Sequence, residues 1–380
     1  MPLHAPTGQP VTFVELFFDL VFVFAVTQVT ALTVHHLDAA GVAHSLLIFW
    51  LIWWAWTQFT WSLSPADTQN RTVRIATLVA AAVAFVMAAS VPEAFEGSGG
   101  GLWFAVPYVV IRLIGLAIQV SVDREEVEHS VSQTWLAVSA SGLLLVLVGG
   151  AVDPSIRPWV WLAVVVLDLA AARGAADAVW DIDARHFSER HGLFVIIALG
   201  ESLIVTGSVV AEQERTTDLV LAAGVALLVI CLLWWTYFGW LKDAMEHHIA
   251  AAGGTELGVL ARDAFSLGHF PLICGVIGCA VAVEEIALHP AEAQPAEVIA
   301  ALVAGIWLFV GATAFAYRRL SGRLLVPRLA VLGVALALTI AVAGAHPAVP
   351  LAVVAAGLLA IVVLEGDGPK VPAEDVELAG

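Results

Sequence analysis

Glu15-Leu-Phe-Phe-Asp-Leu-Val-Phe-Val-Phe-Ala25 lies inside an apolar run that starts near residue 11 and continues past Gln28, with two carboxylates set into it four residues apart. About 20 mostly apolar residues, rising about 1.5 Å each as a helix, match the roughly 30 Å hydrocarbon core of a bilayer. No cationic segment precedes the run and no small-residue cleavage site follows it, so it reads as a retained span rather than a signal peptide. Further stretches of the same kind begin near residues 42, 71, 101, 131, 157, 188, 216, 262, 296, 325 and 348. The 380-residue chain is 60% hydrophobic and 13% charged, with a mean hydropathy of +0.92, where a soluble domain carries roughly a quarter charged residues. The sequence therefore predicts an all-α, polytopic helical membrane protein of about twelve transmembrane helices.

Basic residues are retained on the cytoplasmic side of a membrane protein, so alternate loops reveal orientation. One side collects Arg71, Arg74, Arg124, Arg173, Arg185, Arg190, Lys242, Arg262, Arg318, Arg319, Arg323, Arg328 and Lys370; the other has Arg157 and Arg215, and Arg112 falls inside the fourth span. This sorting predicts a multi-pass protein of the inner (plasma) membrane with both termini cytoplasmic.

The net charge of −17 comes largely from acidic loops and from the acidic segment 365–380, read as a disordered tail. It argues against a nucleic-acid partner and against a polybasic grip on anionic lipid. Cys231, Cys274 and Cys279 offer no disulfide framework, and the pairs His35–His36 and His247–His248 lack metal-ligand spacing. Seryl, nucleotide-binding, dinucleotide and zinc-protease motifs are absent from the sequence, so no catalytic residue, metal or cofactor is expected.

The chain also repeats itself. Leu20-Val-Phe-Val-Phe-Ala-Val-Thr-Gln28 aligns with Leu193-Phe-Val-Ile-Ile-Ala-Leu-Gly-Glu201, and Trp53-Trp54-Ala55-Trp56 with Trp234-Trp235-Thr236-Tyr237. Arg71 opens the third span as Arg262 opens the ninth, and Leu136-Ala-Val138 with Pro154 matches Leu329-Ala-Val331 with Pro347. Apolar matches arise by chance, but ordered tryptophan pairs do not. The reading is two six-helix repeats, 1–172 and 188–364, parallel to each other because six crossings return the chain to the starting side.

Glu15-Leu-Phe-Phe-Asp-Leu-Val-Phe-Val-Phe-Ala25 and Glu189-Arg-His-Gly-Leu-Phe-Val-Ile-Ile-Ala-Leu-Gly-Glu-Ser202 resemble the two signatures of the bacterial low-temperature-requirement A (LtrA) family, and the resemblance covers nearly the whole chain. That family takes its name from a growth phenotype in the cold, which names no reaction. Phe17-Phe18-Asp19 is also similar to the Phe-Ser-Asp motif that opens the repeat of potassium channels lacking a selectivity-filter loop. Phe18 replaces the serine, and the second half has His191-Gly192 in the corresponding segment, so pore-lining assignments do not carry over.

Ionisable side chains inside hydrocarbon are costly and mark candidate sites. Counting about 1.5 Å per residue from the cytoplasmic ends, Glu15 lies about 6 Å deep, Asp168 about 7 Å, His269 about 10 Å, Asp19 about 12 Å, Arg112 about 13 Å and Glu201 about 18 Å. Glu15 and Asp19 share one helix face and require a cation between them, for which Arg112 is the natural partner; the pair is either a structural lock or a functional site. Glu201 has no basic residue at its depth in its own helix, so it is either a proton carrier or a protonated, backbone-bonded acid. His269 precedes Pro271, which kinks a helix, and either fills the kink or frames a site. The tryptophans of spans 2 and 8 pack helices or stack a ligand. These six residues point to a proton or ion pathway in a transporter for a small solute. The other readings are an intramembrane lipid-acting enzyme and a scaffold for a partner membrane protein; oligomerisation is left open.

Overall fold

The computed structural model describes residues 3–5, 8–123, 129–174 and 180–368. Arg124, Lys370 and the segment beyond Gly368 lie outside them. The described residues form helices α1 (Phe13–His35), α2 (Ala39–Leu63), α3 (Arg71–Ala89), α4 (Gly97–Asp123), α5 (His129–Ala151), α6 (Arg157–Gly174), α7 (Ala184–Glu212), α8 (Thr217–Phe238), α9 (Leu241–Ala250) and α10 (Gly254–Leu260). A π-helical turn, Ala261–Leu267, follows, and then α11 (His269–Leu288), α12 (Ala296–Ser321), α13 (Val326–Ala341) and α14 (Ala348–Glu365). Among the described residues no strand occurs; an isolated bridge joins His4 to Ala66.

Nine helical segments of the described residues are long and apolar enough to cross a membrane by length and composition. They are α1, α2, α3, α4, α7, α8 with α9, α10 with α11, α12 and α14. Shorter apolar lengths lie in α5 (Ala140–Ala151) and α13 (Val326–Ala341), and α6 carries Arg157, Asp168 and Arg173 within 18 residues. Large apolar side chains stay exposed along these helices, among them Phe85, Trp103, Trp159, Ile204 and Val363. Water would not tolerate that surface; lipid does.

Local chemistry sets the helix ends. The Thr12 N–H and hydroxyl both donate to Glu15 Oε2, at 2.9 and 2.7 Å, so Glu15 closes the first turn of α1. Asp38 caps α2 through Gly41 N, Asn70 caps α3 through Thr72 N, and Thr216 caps α8 through Leu219 N. Gly322, with φ +71°, ends α12 in the left-handed conformation. Hydroxyls inside α1 are satisfied by its own backbone: Thr27, Thr30 and Thr33 donate to Val23, Val26 and Val29 carbonyls.

The chain divides into two compact units. The first is Met1–Glu201 with Ala252–Arg262 and the second is Ser202–Ala251 with Asp263–Gly380. In the first, α1 packs on α2 and α3, α4 on α2, α3 and α5, and α6 on α2 and α5. In the second, α12 packs on α8, α9, α11 and α13, and α14 on α8 and α13. The division falls inside α7, not in the connection before it, because the first turns of α7 carry partners for α1.

The α11–α12 crossing shows how little room the second unit leaves. A Cβ on Gly305 would stand 2.7 Å from Cys279 N, and one on Gly275 would stand 2.5 Å from Phe309 N. Both obstacles are backbone, so the helices touch main chain to main chain, as small-residue crossings in membranes do. Gly305→Leu should lower unfolding stability in detergent by about 1–3 kcal/mol through overpacking. Gly311→Ala, whose Cβ would meet only Trp307 at 4.0 Å, should leave the thermal midpoint unchanged or slightly raised; equal losses for both would remove the close-crossing account.

Candidate functional site

In the first unit, Asp183 Oδ1 accepts the N–H groups of Arg185 and His186, at 3.0 and 3.1 Å, and so starts α7 at Ala184. His186 and Arg190 thereby fall in the first two turns, four residues apart, as Glu15 and Asp19 do in α1. The two pairs meet rung by rung. Glu15 Oε1 lies 2.9 Å from His186 Nε2 and 3.8 Å from Arg190 Nη1, and Arg190 Nη2 pairs with Asp19 Oδ1. The Trp56 indole N–H also donates to Asp19 Oδ1 at 2.7 Å, and the Arg190 guanidinium stands 5.7 Å from the Trp56 ring centroid. Glu15, Asp19 and Arg190 are completely buried and His186 nearly so.

Asp19 therefore pairs with Arg190, not with Arg112. The sequence reading began this span near residue 188 and counted Arg190 among the orienting charges of the cytoplasmic side. The Asp183 cap starts the helix earlier and draws Arg190 inside.

The ladder has spare capacity. Asp19 Oδ2, Arg190 Nε, Arg190 Nη1 and His186 Nδ1 are buried without a hydrogen-bond partner among the described residues. Two carboxylates against one guanidinium leave one negative charge, which a proton on His186 or on a carboxyl neutralises.

A second buried group surrounds Arg112, halfway along α4. Arg112 Nη1 donates to the Tyr108 hydroxyl at 2.8 Å, and the Gln58 side chain donates to the Arg112 carbonyl at 3.2 Å. On α6, Asp168 Oδ2 accepts from the Trp50 indole at 3.3 Å. Arg112 and Asp168 act on each other electrostatically but form no ion pair within 4.0 Å among the described residues.

In the second unit, His269 is buried next to the π-helical turn. Its Nε2 lies 2.8 Å from the Tyr237 hydroxyl, its Nδ1 lies 3.0 Å from the Ala264 carbonyl, and its ring stacks on Phe265. Pro271 cannot donate to the Leu267 carbonyl, and the apolar segment Gly254–Leu288 is interrupted there by the π-helical turn Ala261–Leu267 ahead of α11. Glu201, on α7, is half-buried and has no hydrogen bond or ion pair among the described residues.

Residues 10–363 match the family described as Bacterial low temperature requirement A protein (LtrA). The chain belongs to the LtrA family. This LtrA protein is 29% identical over 332 residues to the protein RA0937 of Rhizobium meliloti (strain 1021), described as uncharacterized, a match spanning 83% of this chain and 78% of that one. No solved structure matches the LtrA chain.

The LtrA signature in α7 thus contains a ladder residue that sequence reasoning assigned to topology, Arg190, and His186 lies just before it. The legible clue was the matched four-residue spacing of acids in one signature and bases at the other. Arg328 was missed in the same way. It is fully buried in the second unit, bonded to Glu365 through Nε and Nη2 at 2.7 and 2.6 Å, to Thr313 at 2.9 Å and to the Thr236 carbonyl at 2.9 Å. Glu365, read as the first residue of a disordered tail, is the last residue of α14 and also accepts from Trp240 at 3.1 Å.

Truncating one partner of a buried pair strands the other charge and costs about 3–5 kcal/mol. Asp19→Ala and Arg190→Ala should each lose that much stability in detergent, and the double variant should lose clearly less than the sum. Arg112→Ala should not rescue Asp19→Ala. Additive losses at Asp19 and Arg190 in a double-mutant cycle would show that the two do not interact.

Proposed function

We propose that this LtrA protein is a proton-coupled transporter or ion pathway for a small solute, with the Glu15–His186 and Asp19–Arg190 ladder as its proton site. The carrying observation is the unmatched charge of that ladder together with its unpartnered buried atoms. A purely structural lock has no need of a second carboxylate, since burying an extra charge is a net cost. Glu15 and Asp19 hold the proton site, Glu201 relays protons along α7, and Arg112 with Asp168 contacts the solute. His269 has both ring nitrogens engaged, which supports a role in holding the π-helical turn beside the pathway. The bilayer is the standing partner, and the protein resides in the bacterial inner membrane.

In this reading α5, α6 and α13 join the nine apolar segments to make twelve spans, paired α1 with α7, α2 with α8, α3 with α11, α4 with α12, α5 with α13 and α6 with α14. The helix packing within each of the two units supports it. The contacts α2–α4, α2–α6, α3–α4, α4–α5 and α5–α6 have counterparts in α8–α12, α8–α14, α11–α12, α12–α13 and α13–α14. Trp56 and Tyr237, aligned by the repeat, each reach a buried polar partner. Two repeats of six spans would put both termini on one side of the membrane, and the sorting of basic residues supports the cytoplasm as that side. A cytoplasm-dependent reporter should be active at Gly380 and silent within Glu93–Gly100; the reverse at Gly380 would refute the even span count.

Proteoliposomes with an imposed pH gradient test the activity. Wild-type protein should dissipate the gradient in the presence of its solute, and Glu15→Gln, nearly isosteric and neutral, should stay folded while losing proton movement by about tenfold or more. Folded protein that moves neither protons nor any of a broad solute panel would overturn the proposal.

A further inference from the structure

Four buried arginines allow a comparison inside one molecule: Arg112, Arg157, Arg190 and Arg328, among the described residues. Arg157 donates to the carbonyls of Ala94, Gly97, Gly149 and Val152 at 2.8, 3.1, 3.2 and 3.2 Å, and Arg328 makes the bonds to Glu365, Thr313 and Thr236 given above. Arg190 faces two carboxylates. Arg112 is different. Only 3% exposed, it donates one side-chain hydrogen bond among the described residues, to the neutral Tyr108 hydroxyl, and its Nε is buried without a partner among them. A guanidinium carries five N–H donors. Asp168 acts on Arg112 electrostatically but forms no ion pair with it, and its carboxylate accepts instead from Trp50. Contact would have stabilised both charges, so their separation leaves a cation whose coordination is open.

We propose that Arg112, Tyr108, Asp168 and Trp50 form a binding site for a small organic monoanion of the carboxylate class, which Arg112 coordinates while Asp168 takes up one proton. The guanidinium fork matches the two oxygens of a carboxylate. Arg112 lies about 22 Å from the start of α4 and about 16 Å from its end, too far from both for a lipid headgroup to be the expected anion. Electroneutrality supplies the proton. The empty site holds one cation and one carboxylate, and adding an anion leaves a net negative charge in hydrocarbon unless Asp168, on which Arg112 and Trp50 act, becomes neutral. The proton comes from bulk water and no bond other than O–H is made. A zwitterion would place its ammonium on Asp168 and bring no proton. As the solute assignment, this rests on the transport reading above; binding itself needs no gradient.

The experiment is calorimetric titration of purified protein in nanodiscs with sodium acetate and sodium benzoate, in two buffers of different ionisation enthalpy, so that heat reports proton uptake. Saturable binding with about one proton taken up per anion is expected. Arg112→Gln should weaken it by at least about tenfold, the worth of a charge-assisted bond. Asp168→Asn should bind without proton uptake, and that stoichiometry serves if Arg112→Gln does not fold. Gly311→Ala, outside both buried clusters, should bind as wild type. Folded protein that binds neither anion, binding unaffected by Arg112→Gln, or proton uptake unaffected by Asp168→Asn would overturn the proposal, as would alanine binding at the same site without proton uptake.

Discussion

Two carboxylates four residues apart on one helix face cannot both be buried in hydrocarbon unless cationic side chains arrive at the same spacing. In this LtrA protein that constraint is met by α7, whose first two turns bring His186 and Arg190 against Glu15 and Asp19. Much of the first unit is arranged around the requirement. Thr12 consumes the second oxygen of Glu15 and starts α1, Trp56 brings α2 onto Asp19, and Asp183 fixes where α7 begins. The division of the chain within α7 follows from the same contacts, since its first half is bound by charge to helices far earlier in sequence.

The second unit solves the burial of charge differently. Arg328 and Glu365 are matched one to one and their remaining hydrogen-bonding capacity is filled by Thr313, Thr236 and Trp240. Such a saturated network holds α13 and α14 to α8 and has no reason to exchange protons. The contrast separates the roles of buried ions in one chain. Arg157 and Arg328 have their donors met by acceptors, whereas the ladder and Arg112 keep buried atoms without a partner among the described residues.

The helical membrane architecture was legible because apolar runs of bilayer length need no tertiary information. The candidate residues were legible because charge inside such runs is rare, and Glu15, Asp19, Arg112 and Asp168 do sit buried in the first unit. Their partners were not. Pairing depends on rotation about each helix axis and on where each helix starts, and a shift of α7 by one turn moved Arg190 from a loop to the core. Arg328 shows the same limit: next to Pro327 at the head of a short apolar helix it reads as a topological signal, and only the return of α14 supplies the carboxylate that buries it. The break near Pro271 was legible, but its form, a π-helical turn ahead of α11, depends on packing around Ala264 and Phe265.

The central claim is the pairing of α1 with α7, and an experimental structure in nanodiscs at a resolution that orients side chains tests it most directly. The account predicts the Arg190 guanidinium within hydrogen-bond reach of Asp19, His186 against Glu15, and Arg112 apart from both acids beside Tyr108. A structure in which Asp19 is paired with Arg112, or in which Arg190 lies at the membrane surface in water, would contradict it.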